Sequence, residues 1–244
     1  MKKKFGFTLA EVLITLTVIG IVSALAAPVL VGAFQKSKVG PSLRKMVSTL
    51  ENANEMLLQQ NDVEKLSYVA SDTDTYLTKL AGLVKGSVAE EKQYSKYDRK
   101  TYAGTEYKSA QGSEGTDEEA DDATFVYNLS GGESIAIQLN ETVSKPNNEG
   151  SYKGIYANFY YDINGAETKP NKIGKDIFMF VMDDNGSVIA KGGKTYASAY
   201  SKTPTKIGWE ATSGNLACNE SKVGNGSGCA GSIADNGWKV IYKY

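Results

Sequence analysis

At 244 residues, 41% of them hydrophobic and with a formal net charge of -1, the chain has apolar material for one ordinary core plus an appendage. Its 27 basic side chains are matched by 28 acidic ones, so there is no positive field to draw a polyanion, and no nucleic-acid partner is expected. Histidine is absent, which removes the usual general base at neutral pH and the commonest zinc ligand, and with them Ser-His-Asp, Cys-His and HExxH chemistry.

The first element follows Lys2, Lys3 and Lys4, and residues 12–35 carry no charge at all. As a helix rising about 1.5 Å per residue, that run is roughly 36 Å long, enough to cross a hydrocarbon core of about 30 Å. Glu11, at its start, is the one carboxylate in an otherwise apolar stretch. An ordinary signal peptide would take the lysines as its n-region and Ala24-Leu25-Ala26 as its small-x-small cleavage site. Against that, Glu11 raises the cost of insertion and the apolar run continues past the cut to Phe34. A plain membrane anchor explains the length and lets Glu11 snorkel to the interface, but leaves Gly6-Phe7-Thr8-Leu9 without a reason.

The string Gly6-Phe7-Thr8-Leu9-Ala10-Glu11-Val12-Leu13-Ile14, after a short lysine-rich leader, resembles the N-terminal signal of type IV pilins and type II secretion pseudopilins. The resemblance implies a prepilin peptidase that cuts after Gly6, N-methylation of the new terminal residue Phe7, and an assembly role for Glu11. Pro28 falls where helices of this family commonly kink. The implied partners are sister subunits in a homo-oligomeric or mixed filament, the peptidase, and an inner-membrane assembly platform with its ATPase. The implied location is the inner membrane, crossed once with the C-terminal domain outside the cytoplasm, and afterwards a periplasmic or surface filament. Glu11 also gains a physical reason. An unpaired carboxylate at membrane depth costs about 2.5 to 3.5 kcal/mol on insertion scales, and the Phe7 ammonium of a neighbouring subunit would relieve it.

Beyond the span, Leu43, Met46, Val47, Leu50, Ala53, Leu57 and Leu58 recur three and four apart, which predicts a helix with one apolar face. Gly40-Pro41 is expected to bend this rod, with Pro41 in the first turn of the resumed helix. A second helix is expected over residues 72–85, closed by Gly86, from Tyr76, Leu77, Leu80, Leu83 and Val84. Residues 87–123 lose the pattern and read as an exposed polar loop, acidic over 113–122.

The period then changes to two. Residues 124–129 lead through Ser130-Gly131-Gly132-Glu133 into Ile135, Ile137 and Leu139, a hairpin with one face inward. Ile155, Ala157, Phe159 and Tyr161 predict another strand; residues 176–182, the turn Asp184-Asn185-Gly186 and Val188-Ile189 predict two more, and residues 238–242 a last short one. The expected class is α+β, a long N-terminal helix packed on a small antiparallel sheet. Its divisions are a leader at 1–6, a membrane or filament-core helix at 7–35, a stalk and second helix at 36–86, the loop at 87–123 and a β domain at 124–244.

Two clusters in that β domain could carry chemistry. Asp162, Asn164 and Asp176 offer hard oxygens of the kind Ca²⁺ takes, at a spacing unlike an EF-hand. The competing reading is that Asp and Asn cap tight turns while Gly165 and Gly174 supply positive φ. Cys218 and Cys229 lie close together in a Gly- and Asn-rich stretch and are expected to form a disulfide, worth roughly 3 kcal/mol on the chain-entropy model. Neither cluster supplies a nucleophile beside a base, so no enzyme is expected. The function predicted is a structural subunit of a type IV pilus or type II secretion pseudopilus. The alternative is a secreted ligand- or polysaccharide-binding β domain, released by an ordinary signal peptidase after Ala26.

Overall fold

The computed structural model describes residues 6–84, 125–139, 155–165, 168, 171–196, 218 and 228–242. The predicted polar loop at 87–123 lies outside them. The chain divides into two units, Met1–Lys38 and Val39–Tyr244, and helix α1 (Leu9–Asn61) contributes residues to both.

In the first unit, α1 displays its apolar side chains: Leu13, Ile14, Ile19, Leu25, Leu30 and Phe34 are all more than half exposed. The segment is long and apolar enough to cross a membrane. Both threonine hydroxyls of the span are satisfied within the helix. Thr15 donates to the Val12 carbonyl at 2.9 Å and Thr17 to the Leu13 carbonyl at 2.8 Å, so neither brings an unmet donor into an apolar setting.

In the second unit, Val39, Leu43, Met46, Leu50, Ala53 and Leu57 are buried, the three-and-four spacing read from the sequence. The helix does not stop and resume at Gly40-Pro41 as expected: α1 is one helix through both residues. The buried neighbours Val39, Leu43 and Met46 hold the helical course across Pro41, whose missing N–H costs one backbone bond. Gly40 has a different reason to be glycine. A Cβ there would fall 1.7 Å from the Trp238 carbonyl oxygen, so the residue is a point of close backbone approach.

Helix α2 (Leu66–Val69) is too short to have shown a period. Helix α3 (Thr73–Ala81) starts at Asp72, whose carboxylate accepts from the Thr75 N–H at 2.8 Å and the Thr75 hydroxyl at 2.9 Å. It ends at Ala81, short of the expected residue 85. Gly82 bonds to the Lys79 carbonyl, and Leu83 and Val84 both bond to that of Leu80, a tightened last turn that stops the helix. Val84 is buried and Leu83 packs on the core all the same, which is why their spacing looked helical.

The sheet is an antiparallel meander in the order β1 (Phe125–Asn128), β2 (Ser134–Leu139), β3 (Ile155–Asp162), β4 (Ile177–Asp183) and β5 (Val188–Ala190). Register aligns Tyr127, Ile135, Tyr161 and Phe178 in one row, and Ile137, Phe159 and Phe180 in the next. These rows share a core with the α1 stripe, and the Phe159 and Phe180 rings stack at 5.4 Å. The other face is buried too, contrary to the one-sided hairpin expected: Ser134, Ala136 and Met179 are nearly inaccessible, and Ile173, Ile177 and Met179 form a second cluster with Tyr160.

Helix α4 (Cys229–Asp235) was not anticipated, and residues 238–242 are not the strand expected. Trp238 has φ of 63° and returns its N–H to the Ile233 carbonyl at 2.9 Å, which closes α4 and excludes extended backbone. Trp238, Val240 and Tyr242 still pack inward while Lys239 and Ile241 are exposed, so the period of two is real without a ladder.

Within the α1 stripe one polar side chain is fully buried, Asn54. Its Oδ1 accepts from the Tyr76 hydroxyl at 2.7 Å, and its Nδ2 donates to the Gly186 carbonyl at 2.8 Å. Asp184 accepts from the Ser67 N–H at 2.8 Å, and Glu51 from the Val188 N–H at 3.1 Å. The β4–β5 turn is thus fixed against α1 and α2 by polar contacts, with Tyr76 of α3 holding Asn54 in place.

Candidate functional site

The N-terminal signal is built around a helix start. Gly6, Phe7 and Thr8 precede the first helical residue, Leu9, and all three are exposed, Phe7 to 89%. Thr8 accepts the Glu11 N–H on its hydroxyl oxygen at 3.3 Å. In return, Glu11 Oε2 accepts the Thr8 N–H and the Thr8 hydroxyl, each at 2.8 Å. This reciprocal arrangement is a capping box, which meets two of the N–H groups that a helix start leaves without intrahelical partners. The partial positive charge of the helix N-terminus favours an acid at the same place. Glu11 is therefore provided for by a near neighbour in its own chain, with no ion pair among the described residues. Behind it lies the uncharged length of α1, helical through Pro28, whose side chain is outside the described residues.

The Asp162 cluster belongs to the second unit and sits where β3 ends and β4 begins. Asp162 Oδ1 accepts from the Asn164 N–H at 3.1 Å and the Gly165 N–H at 3.0 Å. Asp176 accepts from the N–H groups of Asn171 and Lys172, one on each oxygen. Gly165 and Gly174 have φ of 83° and 84°, as turns of this kind require. The structure does bring the three residues together, since the Asn164 side chain reaches Asp176. Burial pushes the Asp162 carboxyl up to about 7, opposed by the Asn164 and Gly165 N–H groups and reinforced by the Asp176 charge. Burial likewise raises Asp176, against the donors from Lys172 and Asn171. Among the described residues, no three His, Cys, Asp or Glu side chains are grouped to hold a metal.

Residues 1–27 match the prokaryotic N-terminal methylation motif. The signal is of the type IV pilin and pseudopilin type, as the Gly6-Phe7 string and Glu11 led one to expect. No curated protein and no solved structure matches the chain. A methylation motif ahead of an apolar helix fits a protein anchored in the inner membrane and assembled with other pilin-type subunits. It also points to a structural rather than a catalytic protein.

Cys218 and Cys229 form the expected disulfide, and Cys229 is the first residue of α4. Thr8 was read from sequence as part of the signal string, but its capping role was not. The signal was there to be used, because Thr8-Leu9-Ala10-Glu11 is a T-x-x-E string directly before an apolar run, the mark of a capping box.

Proposed function

We propose that the chain is a prepilin-like structural subunit that polymerises into a type IV pilus or a type II secretion pseudopilus after cleavage between Gly6 and Phe7. The observation that carries this reading is the methylation motif placed on an exposed, non-helical Gly6-Phe7 bond, with Phe7 four residues ahead of a capped Glu11. A peptidase needs extended backbone at the bond it cuts, and the capping box starts the helix only after that bond. In this reading the freed Phe7 ammonium of one subunit pairs with Glu11 of the next, at an axial offset that only docking supplies. An inner-membrane platform and its ATPase would drive the extraction of α1 from the bilayer. Asp162 and Asp176 serve as turn caps in this account, since their carboxylates are already engaged by backbone N–H groups, and the Asn164 side chain is spent on Asp176.

The test is the mass of the N-terminal peptide of protein extracted from membranes. A mature chain beginning at N-methylated Phe7 is expected. A terminus at Ala27 would overturn the proposal in favour of a secreted β domain.

A further inference from the structure

We propose that Thr8 is a positioning residue for assembly: it locks one oxygen of the Glu11 carboxylate and leaves the other open to the ammonium of a neighbouring subunit. The inference rests on the reading above, in which Glu11 makes that pair. Both hydrogen bonds that the carboxylate accepts fall on Oε2, from the Thr8 N–H and hydroxyl. Oε1 accepts none among the described residues. A carboxylate can accept on both oxygens at once, so an incoming ammonium can bond to Oε1 while the cap stays intact.

The geometry matters because an exposed glutamate is one of the side chains with most rotamer freedom to lose when it is ordered. Here the ordering is done in advance by a β-branched residue whose own χ1 is restricted. Thr8 offers two donors from a fixed position, one from the backbone and one from the side chain, and Glu11 must meet both to satisfy either well. The neighbour then finds the open oxygen already in place, and docking bears less of the entropic cost.

A plain helix cap would need less. Any acceptor at position 8 would meet the Glu11 N–H, and aspartate is among the best of N-caps. Aspartate has no proton to give Glu11, however, and would set a like charge beside it. Thr8→Asp therefore keeps the cap and removes the positioning. Thr8→Val keeps the shape and removes the hydroxyl, while Thr8→Ser keeps the hydroxyl and loosens χ1.

These three variants and Glu11→Gln, made in the full chain in cells that carry the assembly machinery, are compared by the ratio of sedimented filament to membrane pool. Each ratio is taken per subunit shown by mass to begin at Phe7, so that a change in processing is not read as a change in assembly. Thr8→Val and Thr8→Asp should lower the ratio about tenfold, the worth of one charge-assisted hydrogen bond. Thr8→Ser should stay within about twofold of the parent, because it returns the donor. Parent-like assembly by Thr8→Asp would overturn the proposal and leave Thr8 as a helix cap. Equal losses from Thr8→Val and Thr8→Ser would overturn it as well. If Glu11→Gln assembles like the parent, the ion-pair reading itself falls; if it fails while Thr8→Val assembles normally, only the role given to Thr8 is lost.

Discussion

Two carboxylates, Glu11 and Asp162, each accept a pair of nearby donors, and they are handled in opposite ways. Glu11 is exposed and takes its donors from a single threonine, whereas Asp162 is buried and takes its donors from a turn. Burial dominates at Asp162, so its folded-state carboxyl titrates near 7 against an ordinary value of 3.8. A raised value means that the folded state binds the proton more tightly than the unfolded chain. The stability that this group contributes is fully present below about pH 4 and is lost as pH rises through about 7. Asp162→Asn keeps the acceptor for the Asn164 and Gly165 N–H groups and removes the titration. The thermal midpoint of the parent relative to this variant should therefore fall between about pH 4 and pH 7 and then level off. Parallel curves for the two proteins, measured by circular dichroism across that range, would show that Asp162 is not the responsible group.

At the scale of elements, what could be read in advance depended on whether a segment was long enough to show a period. The α1 stripe repeats over many turns and the strand rows alternate cleanly, so their inward residues were plain from spacing alone. The helices α2 and α4, of 4 and 7 residues, hold too few turns for any periodicity to emerge. Gly40-Pro41 was legible as a special place, but the close approach was not, because a glycine needed for close approach and a glycine at a bend look alike in sequence. That distinction can be measured. Gly40→Ala improves helix propensity by about 1 kcal/mol, but its Cβ would meet the Trp238 carbonyl at 1.7 Å, a backbone atom that cannot turn aside. Overpacking of this sort costs about 1 to 3 kcal/mol or more, so the clash wins and the thermal midpoint should drop. A rise would mean that Gly40 and Trp238 are not in contact. The disulfide gives a second test on an element, because it ties Cys218 to the first residue of α4. Replacing both cysteines by serine should lower stability by about 3 kcal/mol, and α4 amides should exchange faster with solvent. An unchanged midpoint and unchanged exchange would show that α4 holds its place without the bridge.

For the whole molecule, the topology sets an order of events. Each strand pairs with the next in the chain, so the meander can be laid down as its residues become available, with short loops to close between several of its neighbours. The contact between Gly40 and Trp238 is of another kind, since it joins residues near the two ends of the second unit. It can form only after Trp238 has been synthesised. Until then the sheet rows can pair, yet the backbone of α1 at Gly40 stays bare. Covering that one glycine therefore distinguishes a chain whose synthesis has run through to Trp238 from one that was cut short.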